Sequence, residues 1–159
     1  MPQPNLDRMI KLADEFFETK NDPLQISVSE ETMVLLRKIH PNTISEISTE
    51  DGPIAWLLII PTTQTLMKLF LAKKISEQNL LYDTPLNARY EALYLCSALV
   101  LPEHRGKGLA KRLALTSIRA VIEQHPIKQL FYWGFSPEGD RLASSIARDL
   151  GLPLGKRPD

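Results

Sequence analysis

The chain has 159 residues, 43% of them hydrophobic and 24% charged, with 19 basic and 19 acidic side chains. That length suits one domain (1–159) with a proper core, and the composition is that of an ordinary soluble globule. Balanced charge speaks against a nucleic-acid partner, the longest apolar run, Ile54 to Ile60, is too short for a membrane helix, and three histidines with one cysteine speak against a metal cluster.

Asn5 reads as the N-cap of a first helix carrying Leu6, Met9, Ile10, Ala13, Phe16 and Phe17 on one face. Asn21-Asp22-Pro23 ends it, and Leu24 to Val28 alternates like a short strand. A second helix starts near Ser29, with Glu30 and Glu31 in its first turn, and stops before Pro41. Thr43 to Ser48 and Ile54 to Ile60 read as strands around the turn Asp51-Gly52-Pro53. Thr62 or Thr63 caps a helix bearing Leu66, Met67, Phe70 and Leu71, and Ile75 to Leu81 continues as another short helix.

Ala92 to Leu101 is apolar on both parities and closed by Pro102, the pattern of a strand buried on both faces. Cys96 lies inside it and reads as a small core residue rather than a nucleophile. A lone cysteine forms no disulfide within the chain, which fits a reducing compartment. The polar N-terminus shows no secretory pattern, so a cytoplasmic protein is expected. A helix runs from Gly108 to about Gln124 with a narrow polar stripe of Arg112, Arg119 and Glu123, and is expected to be mostly buried. His125 ends it before Pro126. Gln129 to Trp133 is the last strand expected. Asp140 to Leu150 is the last helix, with Gly151 as its C′ glycine. Residues 1–4 and 154–159 are expected to be flexible.

Between the buried strand and its helix lies Arg105-Gly106-Lys107-Gly108-Leu109-Ala110. Strand, glycine-bearing loop and helix is the layout that points unpaired backbone N–H groups at an anion. Gly106 and Gly108 remove the Cβ and permit positive φ, Ala110 keeps the first turn small, and Arg105 and Lys107 add positive charge. No Lys-Ser or Lys-Thr pair follows the glycines, so the loop is not a P-loop. Lys111 stands where a dinucleotide fingerprint needs its third glycine. Glu103 to Lys107 also reads as a plain polar turn, with Lys111, Arg112 and Arg119 as a solvated helix face.

The loop resembles the acyl-CoA signature of the GNAT superfamily of N-acyltransferases, [QR]-x-x-G-x-[GA], with Arg105, Gly108 and Ala110 at its fixed positions. The last helix is similar to a second family pattern, N-x-x-A-x-x-L-Y-x-x-x-G-F, through Asp140, Ala143, Ile146, Ala147, Gly151 and Leu152. The resemblance covers Ala92 to Leu152 and reaches the N-terminal half only through element order. It implies an α/β fold, mixed α+β in layout: a central mixed sheet flanked by helices, here without the family's C-terminal hairpin. An exposed sheet edge would then be covered by the N-terminal helix or by a second subunit, as in a homodimer.

It further implies acetyl-CoA, or another small acyl-CoA, as acyl donor, with no metal, and an amine acceptor of small-molecule or peptide kind attacking directly in a ternary complex. Leu99, Val100 and Leu101 would contact the pantetheine arm. Arg105 to Ala110 (Arg105, Gly106, Lys107, Gly108, Leu109 and Ala110) would hold the pyrophosphate, and Asp140 would join the cofactor-binding set.

Two catalytic groups of the family are not plainly present. The tyrosine that protonates the departing thiolate is replaced by Ala147. Tyr94, Tyr132 or Ser144 could donate the proton instead, or the thiolate could leave unassisted, since a thiol has a pKa near ~8.5. A third reading is that the protein binds acyl-CoA without transferring its acyl group. For the general base, Glu91 is the nearest carboxylate, just ahead of the strand, with Tyr94 at the place where the family puts its glutamate. About thirty residues (62–90) separate the two central strands where a short turn would do. They are expected to shape the acceptor pocket or to act as a lid.

Overall fold

The structure, a computed structural model, describes residues 3–19, 30–134 and 136–158. The chain is a mixed α/β domain: one five-stranded sheet flanked by helices. Helix α1 (Pro4–Thr19) and helix α2 (Glu30–Ile39) precede β1 (Ile44–Thr49) and β2 (Gly52–Thr62). Helices α3 (Gln64–Leu71) and α4 (Glu77–Asp83) follow, then β3 (Ala92–Val100), α5 (Leu109–Gln124), β4 (Gln129–Trp133), α6 (Pro137–Leu150) and β5 (Leu154–Arg157). Spatial order equals chain order, β1-β2-β3-β4-β5. The first three strands are antiparallel, and β4 and β5 join parallel.

Local chemistry fixes most element ends. Thr63 caps α3 by accepting from Leu66 N–H, and Ser76 caps α4 in a capping box with Asn79. Ser136 caps α6 ahead of Pro137 at the first helical position, and Gly151 closes that helix at φ 68°. So α6 begins before Asp140, and Ser-Pro-Glu was the signal for it. Side chains α3 and α4 send to the sheet meet the face holding Tyr94 and Phe131. Those of α6 meet the opposite face, with Leu95 and Tyr132.

Four expectations change. Asn5 is not a cap but a nearly buried residue inside α1: its backbone N–H donates to Asp51 O and its side chain accepts from Arg8. Leu6 and Ile10 stay substantially exposed, while Met9 and Ala13 go inward. Helix α5 is amphipathic rather than mostly buried, with Leu109, Ala114, Ser117, Ile118 and Val121 inward and Ile122 outward. Residues 154–157, read as part of a flexible tail, form β5 against β4. The expected strand Leu24–Val28 and the helix end at Asn21–Pro23 lie outside the described residues, as do the side chains of Phe16 and Phe17.

The 62–90 segment is core rather than lid. Phe70, Leu80 and Leu81 are fully buried in the main apolar cluster. The Phe70 ring packs edge-on against Tyr94, Phe131 and Trp133 at 5.0, 5.8 and 6.2 Å.

Candidate functional site

Strand β3 carries one residue more than its partner. Leu58 pairs with Ser97 and Ile59 with Leu95, leaving Cys96 as a bulge. A bulge bends and twists its strand. The β3–β4 pairing ends at the same place, running from Ala92↔Gln129 to Leu95↔Tyr132, although β3 continues to Val100. The two parallel strands therefore part beyond Leu95.

A cavity of about 240 Å³ occupies the split. Leu95, Cys96 and Ala98 of β3 line it on one side and Tyr132 and Trp133 of β4 on the other, with Leu142, Ala143 and Ile146 of α6 behind. Beyond Ala98 a groove continues past Leu99 and Val100 to Arg105, walled by Leu12 and Glu15 of α1 and by Glu138. Leu101 N–H bonds to Ile54 O on β2. By strand alternation, Val100 and Ala98 turn their backbone groups the other way, into the split.

At the far end of the groove the chain makes a short 3-10 turn, Pro102–His104, and enters the glycine loop. Gly106 and Gly108 have φ of 80° and 73°. A Cβ on either would meet nothing within 4 Å, so the loop is open to solvent. Gly108 is the N-cap of α5, and its left-handed backbone turns the chain into the helix. The first-turn N–H groups of Leu109, Ala110 and Lys111 have no partner within a helix. Arg105, Lys107 and Gly108 are exposed, and Leu109 is buried, leaving it only its backbone to offer. Arg105 donates from Nε to Val100 O at 3.0 Å, which ties the loop to the strand end. Arg8 of α1 grips Glu103 with two bonds of 2.7 Å. That fork holds the Glu103 carboxyl down at about 2.

The strand end, the loop and the helix start are thus brought together. Leu101 is buried in the cluster under α1, and its N–H is spent on β2. Ala98, which the sequence did not single out, lines both the cavity and the groove.

Of the other candidates, Tyr132 lines the cavity and the rest do not. Glu91 precedes β3 at its paired end and holds Lys128 at 3.1 Å, away from the split. Tyr94 is fully buried and stacked on Phe131, with ring centroids 5.1 Å apart. Its hydroxyl donates to Glu77 Oε2 at 2.6 Å. Burial first, then the Glu77 charge, pushes the phenol well above its usual range. Asp140 accepts from Tyr132 Oη at 2.9 Å and from Lys156 at 3.2 Å, and the bond from Tyr132 leads in lowering its pKa. Tyr132, raised to about 12 by burial and then by Asp140, lines the cavity while its hydroxyl is engaged with that carboxylate. Ser144 is exposed, whereas Ala147 is buried in the core.

Three residues the sequence reading passed over gather near the bulge. Glu77, from the first turn of α4, is fully buried and accepts from Tyr94 and from Cys96 Sγ, the latter at 3.8 Å. Trp133 lines the cavity, and Arg157 of β5 lies over its ring at 4.5 Å. A glutamate in a first turn reads as helix-end charge, so the sequence offered no sign that Glu77 is buried. Gly134 is crowded: a Cβ there would sit 2.5 Å from Asp140 Oδ1 and 2.8 Å from Lys156 Cε, so those side chains would have to shift.

Among the described residues no group of histidine, cysteine and acidic side chains is arranged to hold a metal ion. Compared with known proteins, the chain matches no protein-family model and no curated protein sequence.

Proposed function

We propose that the chain is an acyl-CoA-dependent N-acyltransferase of the GNAT type, moving an acetyl or other small acyl group to an amine. The observation that carries this reading is the run of cavity and groove from the β3–β4 split to the glycine loop. A ligand with an anion at one end and a thioester at the other fits that run. The pyrophosphate would lie on the first-turn N–H groups of α5 with Arg105 and Lys107 nearby. The pantetheine arm would follow Ala98 and Val100, whose backbone groups meet its amides. The thioester would reach the split beside Cys96 and Trp133.

In the reaction the amine nitrogen attacks the thioester carbonyl. A C–N bond forms, the C–S bond breaks, one proton leaves the nitrogen and the CoA thiolate gains one. Holding both reactants in one cavity supplies much of the acceleration. Glu91 lies outside that cavity and is not assigned the base.

A second reading is favoured by one observation, the buried Ala147 where the resemblance places the tyrosine acid. On that reading the protein binds acyl-CoA as a regulatory or interaction module without turnover. Acetyl-CoA calorimetry followed by thiol release over a panel of amines separates the two. Binding with release supports the transferase, and binding without release on any amine supports the module. Absence of binding would overturn both.

A further inference from the structure

The face of the sheet opposite α6 holds a cation that the proposed chemistry has not used. Arg157, at the end of β5, is 8% exposed. Its guanidinium lies between two aromatic rings, 4.3 Å from the Phe70 centroid and 4.5 Å from that of Trp133. Such a sandwich satisfies the two faces of the planar cation and leaves its N–H donors, which lie in the plane, to be satisfied by something else. Nε and Nη1 are buried without a hydrogen-bond partner among the described residues. A buried guanidinium with unspent donors costs free energy until an acceptor meets it.

Position says which ligand the acceptor belongs to. Trp133 lines the cavity and its ring carries Arg157 at 4.5 Å, so Arg157 is one residue removed from the end of the split where the acyl group would arrive. The glycine loop for the anionic end of the donor is at the other end of the groove. Glu77, the carboxylate of the same layer, is occupied by Tyr94 and Cys96.

We infer that Arg157 docks a carboxylate of the acceptor, so that the amine acylated here is an amino acid or a close homologue carrying both groups. This deepens the transferase reading and rests on it for the identity of the ligand. Nε–H and Nη1–H of the guanidinium are the unspent donors, and a carboxylate oxygen is the acceptor that suits either of them best. The Trp133 and Phe70 rings fix the plane in which those donors lie.

Two measurements on the full chain test it. In the first, sodium acetate is titrated while the arginine Nε–Hε and tryptophan indole NMR signals are followed, with sodium chloride as control. Arg157 is assigned by Arg157→Lys, and the indole of Trp133 reports if that variant is unstable. Saturable acetate shifts at Arg157 or Trp133, absent with chloride, are expected. Equal responses to both salts overturn the dock. In the second, acetyl transfer to L-leucine is compared with transfer to 3-methylbutylamine, which differs only in lacking the carboxylate. The wild type is expected to favour leucine at least roughly tenfold in kcat/KM. Arg157→Met should erase that preference through KM, and Arg157→Lys should keep part of it. No preference, or a preference untouched by Arg157→Met, overturns the proposal. Acetate binding with no transfer to either amine, and no thiol release on any amine of the panel, would sink the transferase reading and leave the anion dock standing.

Discussion

Tyr94 and Glu77 meet through a 2.6 Å hydrogen bond that joins the 62–90 segment to the middle of β3, with both side chains fully buried. The bond explains why a carboxylate is tolerated in the core: the phenol and the Cys96 thiol donate to it. Tyr94→Phe keeps the ring and removes one donor from a buried carboxylate. A loss of about 1–3 kcal/mol is expected, read from the urea midpoint. An unchanged midpoint would mean that Glu77 finds another donor.

Phe70 tests whether the same segment is core. Phe70→Ala should cost about 3–5 kcal/mol, because it opens a hole against Tyr94, Phe131 and Trp133. Excising residues 65–81 should leave no cooperative thermal transition. A folded deletion variant with normal acetyl-CoA affinity would contradict the packing described for it.

The glycine loop separates backbone strain from ligand exclusion. Gly108→Ala meets open space but must hold φ near 73°, so it should cost roughly 1–2 kcal/mol of stability and little affinity. Gly108→Glu adds bulk and negative charge where the pyrophosphate is proposed to lie. It should abolish acetyl-CoA binding by calorimetry while circular dichroism still shows a folded domain.

Acid should loosen the molecule in two separate windows. His125 accepts from Tyr90 N–H through Nδ1 at 3.3 Å, and its ring centroid is 5.8 Å from that of His40. Burial first, then His40, lowers its pKa below 6.5. The unfolded chain therefore binds the extra proton more readily, so this contribution is intact above about pH 6.5 and is lost as pH falls below it. Glu103 acts lower down: its contribution is present above 4.5 and is lost as pH falls toward about 2. Urea midpoints should decline from about pH 7.5 to about pH 5.5 in the wild type, and less steeply in His125→Gln. Equal slopes in the two proteins would remove His125 as the cause.

Elements with strong local signals were legible in the sequence. Thr63 capping α3, the Gly151 terminus and the continuous apolar β3 all have short-range causes and appear where the residues placed them. The glycine loop was legible for the same reason, since positive φ and a helix start are written in adjacent residues. The missing parts depend on distant partners. Asn5 turned inward because Asp51 and Arg8 bind it. Tyr132 and Asp140, which the sequence offered separately, are joined by a hydrogen bond that adjacent residues do not announce. Glu77 and Arg157 come from opposite sides of the motif region in the chain, and only the fold puts them in one layer with Tyr94. The split itself needed register, which no single strand contains.

The bulge at Cys96 makes the candidate site a matter of counting. Ala92 to Val100 lies against Ala55 to Thr62 with one residue left over, and the opening to β4 begins at that surplus. Side-chain exchanges at Cys96 would leave the surplus in place. Removing the residue would bring the two strands into step, leave Ala98 and Val100 still facing away from β2, and take out the bend at the point where the cavity now opens. Chain length, held to a single residue, therefore constrains this region more tightly than the identity of the side chain at its centre.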